Sequence, residues 1–189
     1  MIKFIIMASI DIIEETRKYI GSKPLPKINP NTQEPESEKE PESDLGKAVI
    51  PAVLVGFYKH TRNEEGAAAL INENDPAGTL EILFGDKKNN IISSVANYAG
   101  ISADNAEHRM INAVSAIKEI LAKEIKNEDG KTISNFFTSQ RSNILKHLPV
   151  ELNMGELLED PAVDDRTNKM EGPMSGLMHG IEKIFSSTK

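Results

Sequence analysis

Ser93 to Asn112 reads S-S-V-A-N-Y-A-G-I-S-A-D-N-A-E-H-R-M-I-N. Ile91, Ile92, Val95, Ala96 and Ala99 fall at helical spacing and predict a helix from Asn89 to Ala99. Gly100 turns the chain just past its end. Ser102 is placed to cap a second helix, predicted to run to Lys126 on a stripe that includes Ala106, Met110, Ala113, Val114, Ile117 and Leu121. Two helices joined through Gly-Ile-Ser have the form of a helix-turn-helix.

Working outward, the chain keeps the same helical grammar. The run from Ala48 to Phe57 is apolar on every face and predicts a central, buried helix. Pro51 should kink that helix or start it afresh, and Gly56 should let a neighbour approach closely. Lys59, His60 and Arg62 put cations at its end. Asn63 caps a short helix that Asp75-Pro76 breaks, and Thr79 to Phe84 forms another turn or two before Gly85. Past Asp129-Gly130, read as the stop of the long helix, Thr132–Ser139 and Arg141–His147 read as two short helices. Leu152–Leu158 follows as a turn or two more. No stretch alternates with period two, so the body is all-α. Ile50 to Gly66 and Ile111 to Gly130 echo each other as a long helix, an Asn-Glu-acidic or Asn-Glu-Asp stop and a shorter helix, which fits either an old duplication or convergence on one kind of helix stop.

The flanks differ. Ser9–Ile20 predicts a short amphipathic helix on Ile10, Ile13, Tyr19 and Ile20, with Ser9 as its cap and Met7 as an alternative start. Residues 22–43 hold five prolines among Glu, Ser and Asn, a disordered tether by composition. Residues 159–171 read as a second polar linker, and 172–189 as an amphipathic helix. The expected organisation is therefore a helix over 1–21, a tether over 22–43, a helical body over 44–158, a linker over 159–171 and a C-terminal helix over 172–189.

Composition narrows the chemistry. The net charge of the 189 residues is −7, and six acids against one Lys between Glu34 and Asp44 carry most of it. That leaves the body near neutrality and argues against a surface built for phosphates. With no cysteine there is no disulfide or thiolate chemistry, which fits a reducing, cytoplasmic setting. The apolar N-terminal residues are too few for a signal peptide, and no segment is long enough for a transmembrane helix. His60, His108, His147 and His179 are scattered without metal-ligand spacing, and neither a phosphate loop nor a nucleophile elbow occurs. No catalytic residue, cofactor or metal is expected.

The segments A-V-I-P-A-V-L-V-G (Ala48 to Gly56), A-G-I-S (Ala99 to Ser102) and I-S-N-F-F-T-S-Q-R-S-N-I-L-K-H-L-P (Ile133 to Pro149) resemble the bacterial YidB-like family, a domain of unknown function. The likeness covers about Leu45 to Leu158. It implies a multihelical fold with helix-turn-helix-like units, in which a Ser-Gln-basic step joins two short helices, and it implies no activity.

Two functional expectations follow. The first is a non-enzymatic protein-interaction module, binding a protein partner or itself through the C-terminal face of Met174, Leu177, Met178, Ile181, Ile184 and Phe185. Too few cations flank that face for a membrane surface. The alternative is a nucleic-acid-binding regulator that reads bases through Asn105, His108 and Arg109 of segment 93–112. Against it stand Asp104 and Glu107 on the same turns, and an apolar stripe that continues far past a recognition helix.

Overall fold

A computed structural model describes residues 10–22, 41–125 and 129–164. It is all-α, with no strand among the described residues. The C-terminal face Met174–Phe185 and most of the acidic tether lie outside them.

The helix that is apolar all round is the axis of the fold. Helix α2 spans Pro41–His60, and every residue from Ala48 to Tyr58 is buried. It begins three residues before the expected body, and it runs through Pro51 without restarting. Proline in a helix interior costs about 3 kcal/mol, but burial on every side of this helix offsets that. Helix α1 (Ile12–Ile20), α4 (Pro76–Phe84), α5 (Lys88–Ala99), α6 (Ala103–Glu124) and α7 (Gly130–Leu145) all pack on α2. Gly56 takes α4: a Cβ there would stand 2.7 Å from the Phe84 ring.

Helix α3 (Glu64–Asn72) lies against α7. Its cap is Asn63, whose side chain accepts from Gly66 N at 2.7 Å. Asp129 does the same for α7, accepting from Thr132 N at 2.7 Å. The two shorter helices of the sequence echo thus pack on each other, each opened by an Asx cap. Asp129 starts a helix where a stop was expected, the long α6 having already ended at Ile125. Asp75 likewise caps α4, with Pro76 in its first turn, so Asp75-Pro76 is a start signal as well as a break. Between α3 and α4 the Lys118 ammonium of α6 donates to the carbonyls of Leu70 and Glu73, a cation at a helix C-terminus.

Three expectations need correction. First, Thr132–Ser139 and Arg141–His147 are one helix, α7. Ser139, Gln140 and Arg141 look like loop residues, but none of them breaks a helix, and each has a partner. Ser139 Oγ bonds back to Phe136 O at 2.6 Å, Gln140 is buried, and Arg141 donates to Ala162 O at 3.0 Å.

Second, the N-terminal helix is part of the body. Asp11, not Ser9, caps it, accepting from Ile13 N and Glu14 N. Ile12, Ile13 and Thr16 are fully buried against α6 and its neighbours, while Tyr19 is 54% exposed and donates to the Glu119 carboxylate. By helical period Tyr19 shares the face of Ile12 and Thr16, but it sits in the last turn of α1. Asn143 Nδ2 reaches Asp11 Oδ1 at 2.6 Å, and Gln140 Oε1 accepts from Ile12 N at 3.4 Å.

Third, the body continues beyond residue 158. After α7 the chain forms a strap of a 3-10 turn (Val150–Leu152), α8 (Met154–Leu157) and α9 (Pro161–Asp164). Asp160 and Val163, expected in a solvated linker, are buried. Lys59 Nζ donates to Leu158 O at 2.6 Å, and Arg62, stacked over the Tyr58 ring, lies 2.8 Å from Asp160 Oδ2. No aligned N–H joins the last pair, so charge holds it rather than a directed hydrogen bond. The cations at the end of α2 thus clasp the strap as well as complementing a helix dipole.

Candidate functional site

The α5–α6 turn is built as its residues dictate. Gly100 takes φ +66°, and Ile101 N bonds back to Ala96 O at 3.0 Å, closing α5. Ser102 Oγ accepts from Asn105 N at 3.3 Å and opens α6. The apolar stripes of both helices are buried as expected. Asn105, His108 and Arg109 are exposed on the first turns of α6. Asp104 is exposed beside them, and the nearby Lys88 is engaged by Glu81 at 2.8 Å and Glu107 at 3.2 Å. Arg109 is then the one exposed cation of those first turns, against an exposed acid. That is a poor phosphate-binding face.

The other side of α5 faces a groove of about 490 Å³ between that helix and the strap. One wall is Asn90, Ser93, Ser94 and Asn97, and the other is Leu152, Asn153, Glu156 and Leu157. Ser94 Oγ donates to Leu152 O at 3.1 Å and ties the walls together at the floor. Lys87 Nζ meets Glu159 Oε1 at 2.8 Å across one end. Asn153 (φ +47°) and Glu159 (φ +52°) are the non-glycine residues with left-handed backbone among those described, and both line this groove. Asn tolerates that conformation, but a Glu there is uncommon.

Lys87 and Glu159 hold each other in the charged form. The hydrogen bond to Glu159 raises the Lys87 pKa, and the same bond lowers that of Glu159. Both shifts move away from neutrality, opposite to what acid–base catalysis at neutral pH needs. Neither serine has a histidine among the lining residues to activate it. The wall presents carboxamides and hydroxyls, and the Ser93 and Ser94 hydroxyls already donate to Asn89 O and Leu152 O.

The histidines stay apart. His60 is half-buried at the end of α2, where burial and then Lys59 lower its pKa. His108 is exposed, His147 is buried after α7, and His179 lies outside the described residues. Among the described residues no three His, Asp or Glu side chains cluster to hold a metal ion, and no helix is long and apolar enough to cross a membrane.

The groove went unnoticed in the sequence, yet a signal was there. Of the twelve residues of α5, five are Asn or Ser: Asn89, Asn90, Ser93, Ser94 and Asn97. A merely solvated helix face favours Glu, Lys, Arg and Gln, because Asn and Ser cost about 0.5 kcal/mol each relative to Ala in a helix. Four of the five, Asn90, Ser93, Ser94 and Asn97, line the groove. Comparison with family models, with curated proteins and with solved structures returned no match.

Proposed function

We propose that the chain is a non-enzymatic, helical protein-interaction module whose contact surface is the groove between α5 and the strap. The observation that carries this is the groove wall itself: amide and hydroxyl side chains held on a rigid helix, open to solvent. The cytoplasmic setting read from the lack of cysteine and the YidB-like resemblance belong to the same proposal. The C-terminal face remains a second contact element of that reading.

The test is a photo-crosslinking amino acid placed at Asn90 or Asn97 in cells that express the protein, with Glu65 and Lys123 as exposed controls. Discrete protein adducts at the two groove positions, suppressed by Asn153→Arg, are expected. Equal yields at all four positions would refute the assignment.

The alternative is a nucleic-acid-binding regulator using Asn105, His108 and Arg109, and their shared exposure on α6 is what favours it. Asp104 and the engaged Lys88 make it the weaker reading. It predicts retention on duplex DNA at low salt that falls steeply as salt rises, and no retention at low salt would end it.

A further inference from the structure

The wall that makes the groove a binding surface also specifies the shape of what fits it. Asn90 and Asn97 lie seven residues apart on α5, so they share a face of the helix and stand about 10.5 Å apart along its axis. Ser93 sits between them on that face. A carboxamide presents a donor and an acceptor together, the complement of a peptide unit. We propose that the groove holds an extended peptide in the polyproline II conformation, its backbone gripped by Asn90 and Asn97 and a Lys or Arg side chain directed at Glu156. This rests on the interaction reading above and names its partner class.

Three features select that occupant. A helical peptide spends its backbone groups internally and leaves nothing for carboxamides to bind, whereas a polyproline II chain has no internal hydrogen bonds. That chain repeats every three residues at about 3.1 Å each, so equivalent groups recur on one side every 9.3 Å or so, close to the Asn90–Asn97 separation. A β-strand repeats on one side about every 6.8 Å, which matches neither one nor two repeats as well. Charge sets the side chain: Glu156 and Glu159 face the groove against Lys87 alone, and Lys87 already meets Glu159. A basic residue is complementary, and the exposed Lys87–Glu159 pair opens at little cost.

The test is amide chemical-shift titration of the full chain with a capped Pro-Pro-Lys-Pro-Pro-Lys-Pro-Pro peptide. The comparison ligands are the same peptide with Glu for Lys and a single-stranded oligothymidylate. Saturable shifts are expected at Asn90, Ser93, Asn97 and Asn153, side-chain amides included. Asn90→Ala combined with Asn97→Ala should weaken binding at least tenfold. Alanine raises helix propensity, so this variant folds. Glu156→Lys should reverse the preference between the Lys and Glu peptides. Shifts confined to other surfaces, equal binding of the two peptides, or binding of the oligonucleotide alone would overturn the proposal. Groove crosslinks without peptide binding would overturn this inference and leave the interaction reading standing; loss of both would remove both.

Discussion

Ile12→Ala measures how α1 is attached. Ile12 and Ile13 are fully buried, and the covalent connection of α1 to the rest of the body runs through residues 23–40. The substitution removes three carbon groups, about 2.4 kcal/mol at 0.8 per buried methylene. Incomplete collapse of the site raises that to about 3 kcal/mol. A helix on a long connection opens before the core unfolds, so the loss should register as local opening. Amide exchange from Glu15 to Ile20 should quicken roughly 100-fold, at a factor of ten for each 1.4 kcal/mol. Amides from Val53 to Phe57 in α2 should keep their protection. Adding Ile13→Ala should contribute less than the first change, because nothing further can be lost once α1 is free. Hydrogen exchange followed residue by residue is the assay. Equal acceleration in α1 and α2 would show that α1 is not a separate unit. Absence of protection in the unmutated α1 would refute its docking altogether.

Other substitutions probe neighbouring joints. Thr16 Oγ1 is buried without a hydrogen-bond partner, so Thr16→Val should strengthen α1 docking by about 1 kcal/mol; slower α1 exchange confirms it, and faster exchange counts against the geometry. Asp160→Asn removes the charge that meets Arg62, whose guanidinium is about a third exposed, so a loss of about 1–2 kcal/mol in a denaturant midpoint is expected, below the range for a fully buried pair. His60 has its pKa lowered by burial, so the unfolded chain takes up a proton first as pH falls through about 6.5. Stability should be complete above that pH and decline below it, and His60→Gln should flatten the decline between pH 7.5 and 5.5; parallel slopes would remove His60 as the cause.

Much of the helical framework is visible in local chemistry. Apolar spacing and Gly100 with Ser102 locate α5 and α6, because caps and stripes act within a few residues. An all-apolar run placed α2 at the centre for the same reason. What escaped depends on distant partners. Gln140 and Arg141 read as loop residues until Ile12 N and Ala162 O are found against them. Asp160 reads as linker until Arg62 is found beside it. Thr16 and Ile12 join the core because α6 and α7 arrive there, which no local pattern records. The groove is harder still, since α5 supplies one wall and a strap more than fifty residues later supplies the other. Only the excess of Asn and Ser on α5 hinted at it.

One feature of α7 reaches beyond stability. Arg141 holds Ala162 and Asn143 holds Asp11, and these two anchors are two residues apart on one helix. The first and last described elements therefore converge on a single turn of α7, although some 150 residues of chain separate them. In topological terms the body is nearly a closed ring. Positions 141 and 143 lie about 200° apart around the helix, so the first and last described elements clasp α7 from two sides. Bridging residues 10 and 164 with a loop long enough to pass around α7, and opening new ends between 22 and 41, would leave these packed contacts in place.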